Sequence, residues 1–294
     1  MPLPDPILKE FSIGCAALGQ IYGIANNGKT PDSAETKKIF EYASLNNINQ
    51  FDTASNYGNS ERVIGDFWPA GKELKVTSKY SIEHFLDEKI LMSSIRQSLK
   101  HTKQDNLWCL LIHHPFNLDK STIWKVRSLL KLSLESGLVA RVGFSAYSEE
   151  EILLAKDAIP ELTVFQISEN ICDQTKYHSQ ALLDLSKAGN QFFVRSIFLQ
   201  GLLLMDPLHL PSKVEAAREV LESLATYSKL HSISLLDACI GYAKSIPWAT
   251  HLIFGVNSVV QLQNILTAFN GDQDLDFADA PKLDSFLTDP RNWS

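Results

Sequence analysis

Eight short apolar runs, each followed by an amphipathic helical pattern, constrain the fold of this chain more than any other feature. The runs lie near residues 11–15, 48–52, 74–79, 107–113, 139–144, 163–167, 192–196 and 251–255. Alternation of short apolar runs with helical periodicity is typical of βα units in a parallel sheet. Eight such units in 294 residues predict an α/β fold, a closed (β/α)₈ barrel forming one domain over residues 1–294.

Two segments depart from the regular alternation. The interval after the seventh run is longer than the others, and its pattern predicts two helices, around 213–229 and 234–245. The tail, 272–294, has little periodicity and predicts a loop that wraps the barrel. The first long helix is expected to begin at Asp32, with Glu35 three residues later in a capping-box-like arrangement.

Charge and composition exclude several classes of protein. The net charge is −7, and no Lys/Arg-rich run offers a footprint for nucleic acid or an anionic membrane. No apolar run approaches the ~20 residues of a spanning helix, and residues 1–6 lack the basic start of a signal peptide. We therefore expect a cytoplasmic protein that acts on small molecules. Four scattered cysteines without C-x-x-C spacing predict reduced, mostly buried thiols: Cys15, Cys109, Cys172 and Cys239.

An acid, a phenol and an amine follow two neighbouring strands. Asp52 ends the second run, Tyr57 lies in the loop after it, and Lys79 ends the third run. A buried Lys–Asp pair beside a tyrosine is suited to proton donation. The ammonium of Lys79 would stabilise the phenolate, so we expect it to lower the pKa of Tyr57 from its reference of about 10.

The segments that carry these residues resemble the aldo-keto reductases. The active-site tetrad of that family is Asp, Tyr, Lys and His, and its motif matches here as FDTA at 51–54 and YGNSE at 57–61. The fourth member follows on the next strand, LWCLLIHHP at 107–115, where His113 holds the position of the family histidine. The resemblance extends from about residue 13 to residue 264 and implies an extra helix after the seventh strand.

Strand parity supports convergence of these groups. Asp52, Lys79 and His113 each lie at the carboxyl end of a predicted strand, where barrel active sites are built. Alone, each has an ordinary alternative as a helix cap or a solvated surface group. Together they indicate an active site. The neighbouring histidines 113 and 114 point to opposite faces of a strand, so we expect no metal site.

The resemblance implies reduction of a carbonyl compound by hydride transfer from NADPH or NADH. Tyr57 would donate a proton to the carbonyl oxygen, Lys79 would tune Tyr57, Asp52 would hold Lys79, and His113 would orient the carbonyl. No G-x-G-x-x-G follows a strand, so a Rossmann fold is not indicated.

Segments after the first and the last four strands match the places where the family holds its dinucleotide. The expected cofactor-binding residues are Gly14, Ser145, Gln166, Arg195, Ser196, Phe198, Gln200, Gly255, Asn257, Gln261 and Asn264. Ser145 and Gln166 would hold the carboxamide, although Ala146 stands where the family often has Asn. Arg195 would stack on the nicotinamide in place of an aromatic ring.

The helix after the eighth strand is expected to begin at Ser258, with Gln261 in a capping box, and to offer free amides to a phosphate. NADP-binding relatives place basic residues here to pair with the 2′-phosphate. The segment 254–264 contains no Lys or Arg, so the phosphate contact is expected to be weakened and NADH to be accepted at least as well as NADPH.

Segments 17–26 and 195–204 resemble a bacterial branch often encoded with surface-polysaccharide or nucleotide-sugar genes. That branch suggests a keto-sugar, sugar aldehyde or nucleotide-sugar as substrate. Two alternatives stay open: a barrel that binds a nicotinamide cofactor but serves as a redox sensor or regulatory subunit, and an unrelated barrel chemistry such as sugar-phosphate isomerisation. An intact tetrad favours the enzyme, because a sensor needs no proton donor. The oligomeric state stays open.

Overall fold

The computed structural model describes residues 8–26, 28–113, 119–271 and 275–293. Eight parallel strands close into a barrel in sequence order, with the first strand paired to the eighth. The strands are β1 (Glu10–Gly14), β2 (Gln50–Asp52), β3 (Lys75–Ser81), β4 (Cys109–His113), β5 (Val142–Ser145), β6 (Val164–Ser168), β7 (Gln191–Arg195) and β8 (His251–Gly255). The (β/α)₈ barrel expected from the eight apolar runs is confirmed.

Helices connect the strands on the outside of the barrel. They are α1 (Ala16–Gly19), α2 (Ser33–Leu45), α3 (Ser60–Phe67), α4 (Glu88–Thr102), α5 (Lys120–Glu135), α6 (Glu149–Ala158), α7 (Gln180–Lys187), α8 (Arg218–Leu230), α9 (Leu235–Ser245) and α10 (Val259–Asn270). As expected, two helices, α8 and α9, lie between β7 and β8. Strand β3 runs two residues past Lys79, and the short helix α1 was not expected, because one turn carries too little periodicity to stand out.

Two apolar layers form the core, one around the outside of the sheet and one inside the barrel. The larger layer lies between the sheet and the helices, where outward-facing strand residues such as Phe51, Leu110 and Phe165 are buried. A smaller cluster fills the barrel interior: Cys109, Leu111, Val164, Phe193 and Ile253. Alternate residues of one strand therefore serve the two layers, as the period of a strand requires. All four cysteines are buried and free, in agreement with the expected thiols.

The end of the chain crosses the barrel and reaches its mouth. Its backbone is held where the amide of Leu283 donates to the carbonyl of Cys172 at 2.9 Å. A short 3₁₀ turn, Pro290–Asn292, brings Arg291 to the carboxyl end of the strands. Residues 272–274 and 294 of the expected tail lie outside the described residues. So do residues 1–6, where the sequence was expected to lack a signal peptide. Within the described ranges, no helix is long and apolar enough to span a membrane.

Candidate active site

A cavity of about 770 Å³ opens at the carboxyl ends of the strands. Its volume lies within the range of small-molecule and cofactor sites. It is lined by residues from the ends of β4 and β7, from the loops after β1, β2, β5 and β7, from the start of α10 and from the chain end. Among them are Tyr22, Asn56, Tyr57, His113, Tyr147, Arg195, Asn257, Gln261, Asn264 and Arg291.

A buried ion pair lies at the floor of this cavity. The ammonium of Lys79 is 2.7 Å from Oδ2 of Asp52, and the two side chains are 1% and 8% exposed. Lys79 also donates to the carbonyl of Thr53 at 3.0 Å, and Nε2 of Gln166 donates to Oδ1 of Asp52 at 2.8 Å. Both carboxylate oxygens thus accept a hydrogen bond, which stabilises the charged form of a buried group.

Tyr57 and His113 stand above this pair. Nζ of Lys79 lies 5.1 Å from the centre of the Tyr57 ring. The Tyr57 and His113 rings meet edge to face, with centroids 6.1 Å apart and planes at 83°. The structure therefore brings together all four residues of the expected tetrad, from β2, the loop after it, β3 and β4. Asp52, Tyr57 and His113 line the cavity, and Lys79 lies beneath them.

The expected lowering of the Tyr57 pKa is wrong in direction. Burial raises the pKa of Tyr57, the Asp52 carboxylate raises it further, and Arg195 opposes this shift. The main reason is burial of the phenol, and Asp52, at 2.7 Å, also neutralises the ammonium that was expected to favour the phenolate. The phenol consequently stays protonated at neutral pH and is able to donate a proton.

The expected cofactor residues line the cavity with one exception. Gly14, Gln166, Arg195, Ser196, Phe198, Gln200, Gly255, Asn257, Gln261 and Asn264 lie along its wall. Ser145 lies behind Gln166, is 3% exposed and donates to Oε1 of Gln166 at 3.3 Å. Ser145 is therefore placed to orient the side-chain amide of Gln166 rather than to contact a ligand.

The cavity fits an extended ligand with polar groups. It runs from Tyr57 to Asn264, and Oδ1 of Asn257 is buried with no hydrogen-bond partner in the described structure. A buried acceptor without a donor is costly unless a ligand or water supplies one. This wall is compatible with the hydroxyl and amide groups of a dinucleotide.

Three amides at the start of α10 already have hydrogen-bond partners, contrary to expectation. The amide of Gln261 donates to Oγ of Ser258 at 3.1 Å, and that of Asn257 donates to Oε1 of Gln261 at 2.8 Å. The amide of Val259 donates to Oε1 of Glu35 at 2.7 Å. As expected, Asp32 caps α2, and its side chain accepts a hydrogen bond from the amide of Glu35. The carboxylate of Glu35, however, accepts from α10 instead of turning back to Asp32.

Sequence patterns missed one part of the site. Tyr147, two residues past β5, has Arg195 and Arg291 against its ring, with their guanidinium carbons 4.3 and 3.5 Å from the ring centre. The position of Tyr147 just after a strand could have indicated it. Arg291 carries no such signal, because it lies in an aperiodic tail.

Metal binding has no support in the described segments, where no three His, Cys, Asp or Glu side chains are grouped to hold an ion. Of the two neighbouring histidines, 114 lies outside the described residues.

The protein is a closed (β/α)₈ barrel with a polar cluster and a cavity at the carboxyl ends of its strands. Barrel enzymes have their active sites at this end, so the fold and the site define a protein of that class. A sequence profile described as the aldo/keto reductase family matches residues 12–287, and the chain belongs to this family. It is in general terms a carbonyl oxidoreductase.

Solved structures give the same fold. The thermostable aldo-keto reductase Tm1743, in complex with the inhibitor epalrestat, is 19% identical with a TM-score of 0.66, and the match covers 93% of this chain and 96% of the other. A protein from Pseudomonas aeruginosa described as an aldo-keto reductase is 19% identical with a TM-score of 0.63, with 92% and 93% coverage. No curated protein matches the chain.

Proposed function

We propose that this protein is an NAD(P)H-dependent carbonyl reductase in which Tyr57 is the general acid. The observation that carries the proposal is the buried Lys79–Asp52 pair beneath Tyr57, with His113 against the same ring at the cavity wall. This grouping supplies a proton donor, a fixed cation and a second polar group at one point. Family membership supports the reaction type.

Tyr57 donates its phenolic proton to the carbonyl oxygen as negative charge develops there. A protonated phenol is needed at that moment, and burial keeps Tyr57 in that form. His113 hydrogen-bonds the same oxygen and orients it. Proton loss leaves a phenolate, which the nearby guanidinium of Arg195 stabilises.

Asp52 and Gln166 hold this machinery in place. Asp52 fixes the ammonium of Lys79, and Gln166 donates to the other oxygen of Asp52. A nicotinamide cofactor, when bound, supplies the hydride that adds to the carbonyl carbon. Gln166, Asn257 and Asn264 would hold it along the cavity wall, and Ser145 would orient Gln166.

The test of the proton donor is Tyr57→Phe. We expect turnover with any carbonyl to fall at least about a hundredfold, the contribution of a positioned general acid, with little change in cofactor affinity. Tyr42→Phe is the matched control, because it removes the same hydroxyl from the outer helix α2. Carbonyl reduction that persists in Tyr57→Phe would remove Tyr57 from the acid role.

NADH is expected to be accepted at least as well as NADPH. Segment 254–264 has no Lys or Arg, and the Glu35 carboxylate on the first amide of α10 repels a further phosphate there. Fluorescence titration gives the two dissociation constants. A dissociation constant for NADPH more than tenfold below that for NADH would contradict this preference.

A keto-sugar or sugar aldehyde is the proposed substrate class, on the similarity of segments 17–26 and 195–204 to the polysaccharide-linked branch. Oxidation of NADH and NADPH against aldehydes, ketones and keto-sugars tests it. Tight cofactor binding without turnover of any carbonyl would favour the redox-sensing alternative.

A further inference from the structure

Two guanidinium groups share one aromatic ring at the cavity mouth. Arg195 ends β7 and Arg291 comes from the chain end, and their guanidinium carbons lie 4.3 and 3.5 Å from the centre of the Tyr147 ring. All three residues line the cavity. Stacking on Tyr147 holds both planar groups at this ring without using their N–H donors.

The two cations are not equally neutralised. Arg291 forms an ion pair with Asp289 through Nε and Nη2, which leaves the two N–H groups of Nη1 outside that pair. Arg195 donates to neutral oxygens, the carbonyl of Ala146 at 3.0 Å and Oγ of Ser196 at 3.3 Å.

Within the described ranges, Arg195 has no carboxylate at ion-pair distance. Lys79 is already neutralised by Asp52. Asp289 and Glu151 act electrostatically on Arg291. Arg195 is therefore the half-buried guanidinium whose charge no carboxylate of the described residues contacts directly, at a place where an anion would be screened less than in open solvent.

The two guanidinium groups lie in the same cavity as the proposed proton donor. Arg195, Arg291, Tyr147 and Tyr57 all line it, and Arg195 and Tyr147 act electrostatically on the phenol. The start of α10, by contrast, carries the carboxylate of Glu35. A substrate whose carbonyl meets Tyr57 therefore has both guanidinium groups within its own cavity.

We propose that Arg195 and Arg291 form an anion subsite, and that the substrate is a carbonyl compound carrying a carboxylate or phosphate group. The inference rests on the proposed reductase function and narrows its substrate class. Guanidinium N–H groups pair with either oxyanion in the same planar geometry. Arg291 would contribute its Nη1 donors while it stays bound to Asp289.

The test compares carbonyl compounds that differ by one acidic group. D-Glucuronate is paired with D-glucose, and D-glyceraldehyde 3-phosphate with D-glyceraldehyde, so that the two pairs separate carboxylate from phosphate. In the wild type we expect kcat/KM to be higher for the acidic member of at least one pair. Arg291→Gln should lower that value roughly ten- to hundredfold, as loss of a charge-assisted hydrogen bond would, and leave the uncharged member within about threefold.

Arg96→Gln is the control, because it removes the same charge from the exposed face of α4. Equal losses for both members of a pair, or no preference in the wild type, would overturn the subsite. A weaker affinity for NADH in Arg291→Gln, with unchanged selectivity, would assign the cations to the cofactor and also overturn it.

Failure of the reductase function gives a different result, namely no turnover of any carbonyl by the wild type. Calorimetric binding of D-glucuronate and glyceraldehyde 3-phosphate then still tests the subsite. Binding of at least one of them that is lost in Arg291→Gln supports the anion subsite, and binding of neither overturns it.

Discussion

The Lys79–Asp52 pair allows a quantitative test of how the site is held together. The side chains are 1% and 8% exposed, and the charged atoms are 2.7 Å apart. Removal of one partner leaves the other charge buried and uncompensated, which costs about 3–5 kcal/mol. We therefore expect Lys79→Met and Asp52→Asn each to lower the free energy of unfolding by that amount.

The double variant should cost far less than the sum of the two single changes. With both charges absent, no buried ion is left unpaired, so the coupling free energy is expected to be about 2–4 kcal/mol. Urea unfolding followed by tryptophan fluorescence measures the four proteins, and urea, being uncharged, does not screen the pair.

Lys103 and Asp66 provide a matched control. Their charged atoms are 2.8 Å apart, but the side chains are 61% and 62% exposed. Lys103→Met, Asp66→Asn and their combination should therefore show a coupling of at most about 1 kcal/mol. If the effects at Lys79 and Asp52 simply add, or couple no more strongly than the exposed pair, the argument from burial is refuted.

Two further predictions concern stability. A Cβ at Gly143 would lie 2.0 Å from the carbonyl oxygen of Val164 on the next strand, so Gly143→Ala should lower the free energy of unfolding by about 3 kcal/mol or more. A Cβ at Gly255 would have no atom within 4 Å, so Gly255→Ala should leave Tm nearly unchanged. Equal Tm values for the two variants would contradict this. Burial raises the pKa of Glu169 to about 7, so the folded state binds more protons than the unfolded state from about pH 4 to 7 and stability declines as the pH rises through that window. The loss is up to about 3 kcal/mol, and urea unfolding at pH 5 and pH 8 should show it in the wild type but not in Glu169→Gln.

Local patterns were sufficient for the barrel, and the tetrad followed from the resemblance to the family motif. The apolar runs and the helical periodicity are set by neighbouring residues. Strand parity then places the side chains of Asp52, Lys79 and His113 at the same end of the barrel. The bond from Gln166 to Asp52 was not predictable in this way, because it joins residues 114 positions apart whose contact depends on barrel closure.

The errors have the same origin. The contact of Glu35 with Val259 spans 224 positions, and the approach of Arg291 to Tyr147 depends on the path of an aperiodic tail. The ionisation of Tyr57 was misjudged because spacing along the chain reveals a nearby cation but neither its neutralisation by Asp52 nor the burial of the phenol.

The depth of Lys79 has a chemical consequence. Its amine is 1% exposed and committed to Asp52 and to a backbone carbonyl, whereas lysines such as Lys37 and Lys103 project into solvent. Acylating reagents require an amine that is free of other partners and a line of approach, and Lys79 offers neither. The amine most important to the proposed chemistry is therefore the one that reagents such as acetyl phosphate would modify last.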